Sequence, residues 1–233
     1  MKKHVNSEEN ILLNVGTKAD ATLIPEESTK RFMSQTKWKL SEAEFFLDHL
    51  KKFKVTTEDE NALEKTYDFL KKLVDLTQES EYNRIARDFC YYVSAFLGAY
   101  GSMPDVMNAE YKASGFDKDW VDKIIDNDSE MMLLKLLRNV VVHQKLISMF
   151  PSVHVASIQG EEAKGDFTWF FSEDIKDLDF WGVKRIAKIN GIDSIIKNQD
   201  IITICSECMK KIENCILKCE KRFSPSSLSF VSQ

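Results

Sequence analysis

Met131-Met-Leu-Leu-Lys-Leu-Leu-Arg-Asn-Val-Val-Val-His-Gln-Lys-Leu-Ile-Ser-Met-Phe150 decides how the rest of this chain is read. The run lies between Asp126-Asn127-Asp128-Ser129 and Pro151. It has the length of a membrane span, but Lys135, Arg138, Asn139, His143 and Lys145 interrupt it, so it reads as a helix buried in a folded domain. At about 100° per residue, Leu133, Leu136, Leu137, Val140, Val141 and Ile147 share one broad face, and Lys135, Arg138, Asn139 and His143 fall on the other. Arg138 and His143 flank that polar stripe about 140° apart, with Asn139 one turn before His143. A helix this apolar needs either partners or chemical work for an arginine, an amide and an imidazole.

Composition bounds the answer. A chain of 233 residues holds one substantial domain with appendages. Hydrophobic content of 43% with 30% charge is ordinary for a soluble globular protein. Met1-Lys-Lys-His is followed by polar residues rather than an apolar signal core, so the cytoplasm is the expected compartment and no membrane segment is expected. A formal charge of −5 argues against a broadly electrostatic nucleic-acid binder, though not against an RNA site built from a local cluster.

Five cysteines without an export signal read as reduced thiols. Cys205-Ser-Glu-Cys208, Cys215 and Cys219 invite a zinc reading, but on one helix Cys205 and Cys219 stand about 21 Å apart, too far for one tetrahedral ion. With Ile201, Ile212 and Ile216 they form a helical apolar stripe that belongs in a core. His4, His49, His143 and His154 are scattered, and no metal motif, phosphate loop, dinucleotide fingerprint or nucleophile elbow occurs. Asp48 beside His49 reads as a surface pair. Arg138 and His143 remain the one compact catalytic candidate.

The chain in order begins with an irregular extension, 1–37, in which Ile11-Leu-Leu13 and Ala21-Thr-Leu-Ile24 suggest a small hairpin or a loose tail. Ser41 and Glu44 form a capping box, with Leu40 stapled onto Phe45, predicting a first helix with Phe46, Leu50 and Phe53 on its apolar face. Thr57 and Glu60 repeat the pattern before Leu63, Tyr67, Leu70 and Val74. A third helix from about Asn83 presents Ile85, Phe89, Tyr92, Phe96 and Tyr100, and Pro104 predicts a kink or break. Gly98 and Gly101 would let a neighbouring helix come close. A short helix runs from Asp117 to Ile125, and the turn Asp126–Ser129 caps the helix with the polar stripe.

Val153–Ile158 and Phe167–Phe171 alternate as a hairpin that either covers the site, contacts a partner or forms a surface excursion. Asp177–Ile189 predicts a helix, Asp193–Ile196 is ambiguous, and Ile201–Phe223 is a closing helix with Lys210, Lys211, Lys218, Lys221 and Arg222 solvated. The single domain is thus 38–223 with its hairpin insertion at 153–171, followed by a flexible tail, 224–233.

Arg138-Asn139-Val-Val-Val-His143 at the end of a leucine-rich helix resembles the R-polar-x-x-x-H signature of the HEPN superfamily, all-helical domains of which many are ribonucleases that need no metal. Ser94-Ala-Phe-Leu97 and Ser102-x-x-Asp105 are similar to the long helix of bacterial HEPN-type families, which often reads S-A-F-L-x-A-x-R-S-x-x-D. Gly101 stands where those families carry the arginine. The order of elements over 41–150, with a closing helix after 195, matches as well.

This resemblance implies a mainly α, up-and-down helical bundle with a small β-hairpin insertion. It implies an endoribonuclease with Arg138, His143 and Asn139 as catalytic residues, no metal, no cofactor and RNA as substrate. It also implies a homodimer with a composite active site over one cleft, in a toxin or antiphage-defence setting with an antitoxin or regulator. The alternative from another class is a non-catalytic dimeric interaction or nucleotide-binding module, in which the same stripe forms a polar seam.

Overall fold

The computed structural model describes residues 33–74, 79–113, 119–143, 147, 149–156, 164–177 and 183–223. The expected hairpin at Ile11–Ile24, the tail after 223 and the loop Gln159–Ala163 lie outside them. The described residues are mainly helical, with one two-stranded antiparallel sheet. The helices are α1 (Ser34–Lys51), α2 (Ala62–Val74), α3 (Glu79–Ala113), α4 (Asp119–Asp126), α5 (Ser129–His143), α6 (Ile192–Asn198) and α7 (Ile201–Phe223). The strands are β1 (Met149–Ala156) and β2 (Lys164–Phe171).

Helix α1 starts seven residues before the expected Ser41 cap, and the cause is tertiary. Glu110, near the far end of α3, accepts the backbone N–H of Gln35 at 2.9 Å and of Thr36 at 3.1 Å, and the Thr36 hydroxyl at 2.6 Å. A distant carboxylate thus satisfies first-turn donors that a local capping box would otherwise serve. At the opposite end, Phe53 just past α1 meets Phe89 early in α3 with ring centroids 5.5 Å apart, so the two helices run antiparallel.

The second capping box also shifts. Asp59 accepts the Thr56 backbone N–H at 2.6 Å and its hydroxyl at 3.1 Å, and Asn61 takes a left-handed turn before α2 begins at Ala62. Helix α2 then buries Ala62 and Thr66, while Tyr67, expected on the apolar face, is exposed.

Pro104 does not end α3, which continues to Ala113. Packing of α1 on one flank and α5 on the other outweighs an interior proline, which ordinarily costs about 3 kcal/mol. Phe89, Val93, Phe96, Tyr100, Met103 and Met107 run down the buried face of α3.

The hairpin is longer than expected, and its second strand lies in the core. Met149 pairs with Phe171 and Ala156 with Lys164, so Met149 and Phe150 leave the helical run and begin a strand. Val55 bridges the other edge of β2 through two backbone hydrogen bonds with Phe167, of 2.8 and 3.0 Å. Phe69 stacks on Phe167 at 4.5 Å, and Phe89 stacks on Trp169 at 4.4 Å. With Phe167, Trp169 and Phe171 buried, β2 is a structural plank of the domain rather than a surface excursion.

Of the expected helix Asp177–Ile189, the described residues 183–188 form a short 3₁₀ turn instead, and a second such turn, Glu173–Asp177, precedes it. Each turn anchors one buried isoleucine, Ile175 and Ile186.

Helix α7 has the expected limits. Asp200 caps it, accepting the Thr203 N–H at 3.0 Å and the Thr203 hydroxyl at 2.6 Å, and Lys54 from beyond α1 reaches the same carboxylate at 2.7 Å. Cys205, Cys208, Cys215 and Cys219 are buried on this one helix beside Ile212 and Ile216. Among the described residues no helix is long and apolar enough to cross a membrane.

Candidate functional site

Helix α5 is fixed at its start by Asp128. One carboxylate oxygen accepts the N–H groups of Glu130 and Met131 at 3.1 and 3.0 Å, and the other meets the Lys211 ammonium at 2.7 Å. Glu130 joins the same lysine at 2.8 Å. Burial works against the charge on Lys211, yet the two carboxylates outweigh it and hold its pKa above the ordinary lysine range. Lys211 is therefore a tie between α7 and α5 rather than the solvated side chain expected.

From that anchor, Met131, Leu133, Leu134, Leu136, Leu137 and Val140 enter the core. Lys135, the first member of the polar stripe, turns to Asp122 and Asp126 of α4 at 3.4 and 3.7 Å. It holds two helices together and leaves Arg138 and Asn139 as the described polar pair on the stripe.

Arg138 lies across α3 where a glycine gives it room. A Cβ added to Gly101 would come within 2.5 Å of Arg138 Cβ and 2.6 Å of its Cγ. The aliphatic stem thus occupies the space of the missing side chain. Beyond it, Arg138 Nη1 donates to Asn139 Oδ1 at 3.2 Å. Arg138 Nε is closed off from solvent and has no acceptor among the described residues. No carboxylate pairs with this guanidinium among the described residues, in contrast to Lys135 and Lys211 in the same helix neighbourhood.

A second buried polar atom was not singled out in the sequence. Asn108 Oδ1 has no hydrogen-bond partner among the described residues. Asn108 is seven residues from Gly101 and therefore on the same flank of α3, two turns further along. That heptad spacing from a close-approach glycine is the signal that would have found it.

His143 is the last residue of α5, about 6 Å along the axis from Asn139. Its side chain lies outside the described residues, as does Lys145. The structure therefore brings Arg138 and Asn139 into contact and places the backbone of His143 one turn beyond them. Ser102 is turned inward on its own helix, donating to the Ala99 carbonyl at 2.8 Å, and Asp105 is exposed. Comparisons with protein-family models, curated proteins and solved structures gave no match.

The remaining titratable groups near α3 and α7 are structural. The Tyr100 hydroxyl is buried beside the Cys208 thiol, and burial drives the pKa values of both groups well upward. His49 does not pair with Asp48: its Nδ1 lies 2.8 Å from the Phe45 carbonyl oxygen and its ring stacks on Tyr92, while Asp48 pairs with Lys51. His154 is exposed on β1, with Nε2 3.1 Å from the Ser152 hydroxyl.

Proposed function

We propose that this chain is a metal-independent endoribonuclease of HEPN type, with Arg138, Asn139 and His143 as its catalytic stripe on a HEPN-like helical bundle. The observation that carries the reading is the state of Arg138. Its stem is seated over Gly101, its guanidinium is hydrogen-bonded to Asn139, and no carboxylate neutralises it among the described residues. A planar cation held in this way suits a phosphate and the extra charge of a phosphorane.

In this reading the substrate supplies the nucleophile. The imidazole of His143 removes the proton from a ribose 2′-hydroxyl, whose oxygen attacks the adjacent phosphorus. The bond to the 5′-oxygen breaks, that oxygen takes up a proton from water to give a 5′-hydroxyl and a 2′,3′-cyclic phosphate, and the imidazolium returns its proton to solvent. Arg138 stabilises the phosphorane, and Asn139 orients the guanidinium through its side-chain oxygen. A toxin or antiphage role in the cytoplasm, under an antitoxin or regulator, belongs to the same reading.

A non-catalytic binding module is the second reading, and the enclosure of Arg138 Nε favours it. A guanidinium built chiefly for a polar seam would be shielded in the same way. Cleavage of RNA in EDTA by the wild type, but not by folded Arg138→Ala and His143→Ala variants, separates the two.

A further inference from the structure

Helices α1 and α7 lie antiparallel with an open groove between them. Lys37, near the start of α1, pairs with Glu220, near the end of α7, and Lys54, just past α1, pairs with Asp200, just before α7. Glu44 is seven residues on from Lys37, and Glu213 is seven residues back from Glu220. Both therefore stand two turns, about 10 Å, further along the same flanks and meet across the groove. The rung that would repeat the ion pair holds two carboxylates instead. One more heptad brings Lys51 opposite Ser206, and all four residues line one cavity of about 570 Å³, a size that suits a small ligand.

The rest of the lining decides what this cavity takes. Lys51 is held by Asp48 of its own helix at 2.8 Å and Lys210 by Glu207 at 2.9 Å, so both cations are compensated and an anion gains little there. The Ser206 hydroxyl donates to the Ile202 carbonyl at 2.7 Å. Glu44 and Glu213 have no hydrogen bond or ion pair among the described residues. Buried Leu47 and Met209, one turn from Glu44 and Glu213 respectively, form an apolar floor between them. Among the described residues no three carboxylates, imidazoles or thiols come together to hold a metal ion, and an apolar floor does not suit a hydrated one.

Two uncompensated carboxylates over an apolar floor call for a cation that carries a hydrocarbon chain. We propose that the middle of the α1–α7 groove binds a linear aliphatic polyamine, with one ammonium between Glu44 and Glu213 and its methylenes over Leu47 and Met209. The ammonium replaces the repulsion of the two carboxylates with charge-assisted hydrogen bonds, and the chain covers apolar surface that the groove leaves open. This site lies between α1 and α7, apart from the Arg138 stripe, and stands whether or not that stripe cleaves RNA.

Calorimetric titration of the full chain with spermidine, freed of nucleic acid and at about 50 mM salt to limit screening, tests it. The expected result is one saturable site that Glu44→Gln with Glu213→Gln weakens by about 10-fold or more. Glu58→Gln, at an exposed carboxylate before α2, should leave the affinity unchanged. The double variant loses a like-charge pair and should melt no lower than wild type, and spermidine should raise the melting temperature of the wild type alone. Magnesium at the same concentration should not displace the amine. Absence of saturable binding, equal binding by the double variant or displacement by equimolar magnesium overturns the proposal. So does tighter binding of trilysine, which would assign the groove to a basic peptide. The readout is binding, so failure here leaves the ribonuclease reading intact.

Discussion

Arg138 of α5 lies against the bare backbone of Gly101 on α3, its Cβ and Cγ filling the volume that any other residue at 101 would claim. The close crossing of the two helices and the placing of the guanidinium are thus one feature. An added methyl must push aside the stem of Arg138 close to its backbone, where the side chain has least freedom to move.

Gly101→Ala is therefore expected to destabilise the fold by about 1–3 kcal/mol through overpacking, despite the better helix propensity of alanine. Urea denaturation checks this. Stability equal to or above that of the wild type would contradict the contact.

The cap on α5 should be measurable by itself. Asp128→Ala removes the acceptor for two first-turn N–H groups and a partner of Lys211, and should cost about 1–2 kcal/mol. Asp128→Asn retains a capping oxygen and should cost less. Equal losses for the two variants would show that the ion pair, rather than the cap, carries the effect.

Asp200 gives a pH dependence with a definite sign. Burial acts to raise its pKa, but hydrogen bonds from Lys54 and Thr203 outweigh that and hold it below the ordinary aspartate value. The folded state thus favours the ionised form. Its contribution is fully present above the unfolded pKa, about 3.9, and is lost as pH falls through the lowered folded value. Asp200→Asn should reduce stability at pH 7 by about 1–3 kcal/mol, and the difference from wild type should shrink below about pH 4. Chemical denaturation at both pH values tests this. A gap that widens on acidification would contradict the assignment.

Thiol reactivity reports on α7. Cys205, Cys208 and Cys215 have pKa values raised by burial, and Cys219 is also fully enclosed. A disulfide reagent at pH 8 should modify Cys90, which is only half-buried, before these four. Rapid modification of the four without unfolding would show that α7 does not sit in the core.

Much of the helical plan was legible because the apolar period of 3.6 residues is carried by large side chains. The limits of α7 and the core positions of α3 and α5 follow from Ile, Leu, Phe and Cys spacing. What failed was local chemistry overridden at a distance. Ser41–Glu44 was a sound capping box, but Glu110 on another helix moved the start of α1 back to Ser34. Pro104 allowed a kink or a break, and α3 runs unbroken through it, held by packing on both flanks. Met149 and Phe150 looked helical until pairing with Phe171 and Phe170 drew them into a strand.

For the candidate site, Arg138 and Asn139 were readable as neighbours on one stripe. Lys135 was readable on the same stripe, but its acidic partners on α4 were not. The orphaned Asn108 oxygen was not legible from residue types alone; its heptad spacing from Gly101 is the signal that points to it.

The central claim is that Arg138 and His143 cleave RNA without metal. It is tested most directly by incubating structured RNA, unstructured RNA and matching DNA with wild type, Arg138→Ala and His143→Ala in excess EDTA, after confirming that each melts normally. The account predicts RNA-only cleavage leaving 2′,3′-cyclic phosphate ends, reduced about 10²-fold or more by either substitution. Equal cutting by the folded variants, equal cutting of DNA, or no cutting of any RNA by the wild type would contradict it.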